Sequence, residues 1–282
     1  MGLCRGGRRM RLRSAKCRLS DLPKLALCDE EVAEILRASE KIAILVGGQA
    51  LSIWANFYQV AIPAVLTAQV TRDVDFIGSA EAALILKAGL SDKDWRLEQV
   101  RPGARSPVTA QLTLQTENGI KEIDFLGSIV GLHTDEVRKR AVLLELPDGS
   151  GVTVLHPLDV LASRLHNLAE IPEKRNDQGV AQAELAIGIA AAFLRDALAH
   201  RTERELFNQI ERIRIIATND AIASICREYR LEVLACVPLD RITNENFKNR
   251  RWPQIRREVD LKVGVGAPGA PLTRGPSSDP QG

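Results

Sequence analysis

Gly47, Gly48, Asp73 and Asp75 are the side chains and backbone positions of this 282-residue chain whose types and spacing suit chemistry. The two glycines follow an apolar run, Ile42-Ala43-Ile44-Leu45-Val46, and precede a helix-like stretch from Gln49 to Tyr58. Glycines at a strand-to-helix turn leave backbone N–H groups free to face an anion, and the helix N-terminus adds partial positive charge. Asp73 and Asp75 lie in Thr71-Arg72-Asp73-Val74-Asp75-Phe76. Side chains alternate along a strand, so the two carboxylates share one face while Val74 and Phe76 turn to the other. Two carboxylates on one face repel unless a cation or base sits between them. Arg72 alternates away from them and is a poor neutraliser. A phosphate cradle beside paired carboxylates points to a nucleotide held with magnesium. The plainer alternatives are a tight turn that needs glycine for its own conformation and a solvated strand face.

Further candidates lie downstream. Asp124, between Ile123 and Phe125, points away from the core those two enter, and Glu122 shares its face. Its plainer alternative is an exposed residue paired with Lys121 or Arg96. Arg164 lies in a segment where Leu158, Leu161, Leu165 and Leu168 recur at helical spacing. Lys174 and Arg175 lie in a charged loop. His156 precedes Pro157 and reads as structural, and His166 as a satisfied polar contact rather than an acid or base. Trp54, Trp95 and Trp252 read as core residues. The basic cluster Lys248, Arg250, Arg251, Arg256 and Arg257 reads as a solvated helix face, with contact to RNA phosphates as the alternative.

The ordered set of Gly47-Gly48, a helix, Asp73-Val74-Asp75 and a later lone aspartate in Ile123-Asp124-Phe125 resembles the DNA polymerase β-like nucleotidyltransferase superfamily. Val46-Gly47-Gly48-Gln49-Ala50-Leu51 and the Asp-x-Asp strand are most similar to its AbiEii/AbiGii toxin-type branch, over about residues 40 to 180. The resemblance implies a magnesium-dependent transfer of a nucleoside monophosphate from a nucleoside triphosphate to an acceptor hydroxyl. Asp73, Asp75 and Asp124 would be the metal ligands, converging on one site, with Asp124 also acting on the acceptor. Gly47, Gly48, Gln49, Arg164 and Lys174 would bind the nucleotide. The acceptor would be tRNA or a protein, and the partner a separate antitoxin. A small-molecule acceptor of the aminoglycoside kind and a catalytically degenerate nucleotide-binding module are the rival expectations. Two positions depart from the pattern: Gln49 stands where Ser or Thr is usual, and Gln69 where the branch often has a basic residue.

Those residues need a scaffold. Hydrophobic residues make up 45% of the chain, enough for a sizeable core, and the net charge of +2 does not announce a nucleic-acid binder. The five cysteines, Cys4, Cys17, Cys28, Cys226 and Cys236, have no metal-ligand spacing and suit a reducing, cytoplasmic setting. No apolar run of about 18 residues indicates a membrane span, and the basic N-terminus lacks the apolar stretch of a signal peptide. Residues 1–28 read as a disordered basic tail and 264–282, rich in Gly, Pro and Ser, as another. Between them the expectation is an α+β fold: a nucleotidyltransferase-type mixed sheet with flanking helices over 29–156, then an all-helical domain over 157–263. The patterns predict helices over 29–39, 49–58 and 79–87, strands over 41–46, 72–77, 95–100, 108–116, 120–126, 142–146 and 152–155, and a charged loop over 173–178. Further helices are expected from Pro157, over 178–199, from a Thr202–Glu205 capping box, over 221–229, and over 245–262 with a break at Trp252-Pro253.

Overall fold

The computed structural model describes residues 22–67, 73–90, 92–100, 106–146 and 148–264. Gln69, Thr71, Arg72, Cys4, Cys17 and the segments 1–21 and 265–282 lie outside the described residues.

The chain is α+β, with a seven-stranded mixed sheet in the order β3-β4-β5-β2-β1-β7-β6. The strands are β1 (Ile44–Leu45), β2 (Val74–Ile77), β3 (Arg96–Gln99), β4 (Val108–Thr116), β5 (Gly119–Leu126), β6 (Val142–Glu145) and β7 (Gly151–Val154). β2 runs parallel to β5, and β1 parallel to β7; the other pairs are antiparallel. The parallel β2/β5 register sets Asp75 opposite Asp124 and Phe76 opposite Phe125. Residues opposite one another share a face, so one side of this pair is acidic. The other side carries Val74, Phe76, Ile123 and Phe125, all fully buried, with the two phenyl rings stacked 5.6 Å apart.

Around the sheet lie α1 (Asp29–Ala38), α2 (Gly47–Phe57), the short α3 (Ala64–Thr67), α4 (Ala80–Gly89) and α5 (Thr134–Arg140). α4 begins at Ser79, whose hydroxyl accepts from the Ala82 N–H at 3.3 Å, as the sequence predicts. After β7 come α6 (Pro157–Glu170), α7 (Asp177–His200), α8 (Glu203–Thr218), α9 (Asp220–Tyr229) and α10 (Trp252–Val263). The Thr202–Glu205 capping box is present at the start of α8. α6 is buried on nearly all sides, because it packs against α7 and α9 and meets α2 as well. Trp54 on α2 donates from its indole to the Leu155 carbonyl at 2.7 Å and ties the sheet side to the entry of α6. One hydrophobic cluster runs from Leu45 and Trp54 through Leu158, Leu161 and Leu165 to Ile210 and Ile255. The pattern change at Pro157 is therefore a change of secondary structure inside a continuous core.

Three local expectations are corrected. Residues 22–28 are not free tail: Lys24 bridges Ile120 in parallel, the Leu25 N–H donates to the Ile120 carbonyl at 2.7 Å, and Leu27 is buried. The reason is that β2 covers only the second half of β5, leaving the first half an open edge for this segment to pair with. The charged stretch 173–178 is not all loop. Pro172–Lys174 forms a 3-10 turn, and Asn176 caps α7 by accepting from the Gly179 N–H at 2.9 Å. Trp252-Pro253 does not break the last helix. A wide π turn over Phe247–Arg251 runs into α10, whose first turn has no need of the proline N–H.

Candidate functional site

β1 ends and α2 begins at Val46-Gly47, and the turn is tight because two elements converge there. Gly47 adopts φ +67°, in the left-handed region, and a Cβ on it would lie 2.1 Å from Oδ2 of Asp75. Only glycine lets that carboxylate rest against the helix start. The Val46 N–H donates to the Asp75 carbonyl at 2.9 Å, which locks the two segments together. Val46 offers no side-chain cap at the start of α2.

A cleft of about 610 Å³ opens above this turn. Gly47, Gly48, Asp73 and Asp75 line one side, and Arg164 of α6 and Lys174 of the following turn line another. The sequence-predicted glycines, the Asp-x-Asp pair and both basic residues thus meet in one hollow. Burial raises the Asp75 carboxyl to about 6, with Asp124 and Asp73 adding to the shift and Arg164 and Lys174 opposing it. Burial presses Arg164 below its ordinary value, while Asp75 acts the other way.

Asp124 and Gln49 behave differently. Asp124 shares the acidic face but is not among the residues lining the cleft. Gln111, opposite it on β4, donates to its Oδ1 at 2.7 Å, and Lys24 and Glu122 lie close enough to shift it. Its carboxyl is still raised, first by burial. Glu122, the other acid on this face, is buried and paired with Lys24. The expected pairing of Asp124 with Lys121 or Arg96 is not found among the described residues: Lys121 holds Glu31 at 2.6 Å. Gln49 lines a separate hollow with Leu27, Val32, Leu36 and Asp148. Each helical residue rotates the side chain by about 100°, which turns Gln49 off the side that Gly47 and Gly48 present. The expected convergence of Asp73, Asp75 and Asp124 is correspondingly incomplete: among the described residues no three His, Cys, Asp or Glu side chains form a ready ligand set.

Magnesium nonetheless fits the donors present. It needs oxygen ligands, and it commonly takes only one or two carboxylates beside phosphate and water. Asp73 and Asp75 supply that number, and the repulsion that raises Asp75 is one a cation would relieve.

Several cleft residues were not singled out from the sequence. Ser128, Ile129 and Val130 come from the loop between β5 and α5, where no periodic pattern exists to flag them. Ser163 and Asn167 flank Arg164 on α6, and Gln178 and Gln182 stand four apart on α7. The last pair had a readable signal: two amides at i, i+4 in a helix otherwise rich in alanine.

The two internal histidines are structural. His156 Nδ1 accepts from the Leu158 N–H at 3.1 Å and caps α6. His166 meets Glu170 at 2.7 Å and packs so closely on Gly131 that a Cβ there would lie 2.1 Å from its ring. Much of the C-terminal basic cluster is paired: Arg251 with Glu211, Arg256 with Asp260 and Lys248 with Glu245. No helix among the described residues is long and apolar enough to cross a membrane. Neither a scan against protein-family models nor a search of curated proteins returns a match for the chain.

Proposed function

We propose that the protein is a magnesium-dependent nucleotidyltransferase of the DNA polymerase β-like kind, closest in its motifs to the AbiEii/AbiGii toxin-type branch. The observation that carries this is the single cleft in which Asp73 and Asp75 face Arg164 and Lys174 above the Gly47-Gly48 helix start. Negative ligands for a cation and positive groups for a triphosphate are brought within one hollow of nucleotide size. The mixed sheet, with its carboxylates on neighbouring parallel strands, is compatible with the nucleotidyltransferase fold.

In this reaction an acceptor hydroxyl forms a bond to the α-phosphorus, and the bond to pyrophosphate breaks. Gly47 and Gly48 N–H groups, Arg164 and Lys174 bind the triphosphate and stabilise the departing charge. Asp73 and Asp75 would hold magnesium, which when bound supplies charge neutralisation at the phosphates. Asp124, opposite Asp75 on β5, would take the hydroxyl proton once its carboxylate leaves Gln111 for the cleft. The acceptor is a hydroxyl on tRNA or protein, and an antitoxin is the proposed partner.

A second function, a nucleotide-binding module without transfer, draws on the tether of Asp124 to Gln111 and the turn of Gln49 away from the cleft. Labelled transfer from each nucleoside triphosphate to total tRNA and total protein separates the two, run on the wild type and Asp75→Asn. The expected result is transfer by the wild type and a loss of at least a hundredfold in the variant, whose metal-free melting temperature stays level or rises. Equal transfer by both rejects the catalytic role. Nucleotide binding without transfer by either selects the binding module.

A further inference from the structure

Arg164 is a buried cation with a neutral partner. It is 8% exposed, and its Nη1 donates to the Gln182 amide oxygen on α7 at 3.0 Å. Its Nε is buried with no hydrogen-bond partner. Among the described residues no carboxylate forms an ion pair with it; Asp75 acts on it only across space. Other inward arginines are matched by acids. Arg140 and Arg212 both hold Asp159, and Arg214 holds Glu211 and Glu258. Removing an ionised group from water without a counter-charge is costly, so the mismatch at Arg164 is unfavourable until something completes it.

A guanidinium has only donors, so it orients the Gln182 amide with its oxygen toward Arg164 and its NH₂ group turned elsewhere. Both side chains line the same cleft. We propose that Gln182 is the positioning residue of a polyphosphate subsite: it seats the Arg164 guanidinium in the cleft without neutralising it, and a bound phosphate chain supplies the missing charge. A glutamate at this position would complete the pair inside the protein and close the subsite. The amide keeps it open, and its own NH₂ adds a second donor. A chain of several phosphates fits better than a lone carboxylate, because Lys174 and the N-terminal end of α2 at Gly47-Gly48 extend the positive character along the same cleft. This inference rests on the nucleotide reading of the cleft and goes beyond it, in that it assigns a role to a residue outside the motifs.

The test is calorimetric titration of the wild type, Gln182→Glu and Gln182→Met with inorganic tripolyphosphate and with ATP, GTP, CTP and UTP, in magnesium buffer. Melting temperatures without ligand are measured alongside. Gln182→Glu is expected to lose at least tenfold in tripolyphosphate affinity while its melting temperature rises, since Arg164 gains a partner. Gln182→Met keeps the charge but unseats it, and is expected to lose about three- to tenfold; it serves if the glutamate variant does not fold. Wild-type affinity in the variants overturns the proposal, as does a loss of affinity that tracks a fall in melting temperature. A wild type that binds neither tripolyphosphate nor any nucleotide overturns it together with the nucleotide reading. Tripolyphosphate binding that Gln182→Glu abolishes, with no label transfer to any acceptor, leaves the subsite standing and removes the transferase. Label transfer by a Gln182→Glu protein that binds like the wild type does the reverse.

Discussion

Asp75 and His156 are buried residues whose protonation the fold biases within the acidic to neutral range, and they pull stability in opposite directions with pH. Asp75 is raised from 3.8 to about 6, first by burial and then by Asp124 and Asp73. Its folded form holds the proton more tightly than the unfolded chain. Its contribution is therefore fully present below the unfolded value and is lost as pH rises through 6, leaving a cost of up to roughly 3 kcal/mol at neutral pH. His156 is lowered from 6.5 to about 3, by burial first and by Arg212, Arg140 and Arg201. It is buried neutral as the cap of α6, so its contribution is present above 6.5 and is lost as pH falls toward 3. Between pH 4 and 6.5 the two partly cancel in the metal-free wild type. In Asp75→Asn that opposing carboxyl is gone, and the effect of the histidine shows more fully. We expect that variant to be more stable than the wild type at pH 7.5 and to lose stability more steeply on acidification. Chemical denaturation across this pH range, without metal, checks both; parallel profiles for the two proteins would refute the assignment.

At the scale of elements, Asp159 is the fastener. It lies on α6 with its side chain 3% exposed, and it holds Arg140 of α5 at 3.0 Å and Arg212 of α8 at 2.9 Å. α5 follows the loop that supplies Ser128, Ile129 and Val130 to the cleft. Arg140 also holds Glu136 at 3.1 Å, so Arg212 is the arginine left without an ion-pair partner among the described residues if the acid is removed. Breaking a buried pair by deleting one partner costs about 3–5 kcal/mol, mostly through the charge left behind. Both arginines keep some solvent contact here, with side chains 28% and 24% exposed, which favours the lower end. Asp159→Asn is expected to destabilise the protein by about 3 kcal/mol, with hydrogen exchange quickening first in α5. A loss under about 1 kcal/mol would show that the cluster is well solvated.

For the whole molecule, the continuity of the core decides what is separable. Leu155, Leu158 and Leu161 belong to the same hydrophobic cluster as Leu45, Trp54 and Ala50. A fragment ending at residue 156 would expose the face of α2 that α6 and α7 cover, and it would lose the Arg164 and Lys174 side of the cleft. We expect residues 22–156 expressed alone to show no cooperative thermal transition and no nucleotide binding. A sharp, reversible transition in that fragment would establish the sheet as a self-standing domain.

Periodicity by itself determined most of the strands and the longer helices, while α3 and α5 are too short to show a period. Alternation placed β2, β4 and β5 and set Asp73 and Asp75 on one face, because side-chain direction in a strand depends only on position along it. Ser79, Pro157 and the Thr202–Glu205 pair marked helix starts, since capping is satisfied within a few residues. Tertiary structure decided what no local pattern encodes. The β2/β5 register put Asp124 beside Asp75, yet Gln111 on a third strand drew its carboxylate aside. The open half of β5 captured residues 22–28. The rotation of α2 turned Gln49 from the cleft into another hollow. Arg164 was readable as a cation on a helix, but its buried, half-satisfied state depends on α7 bringing Gln182 within 3.0 Å. Contacts between residues distant in sequence carry no period, and only packing fixes which of them meet.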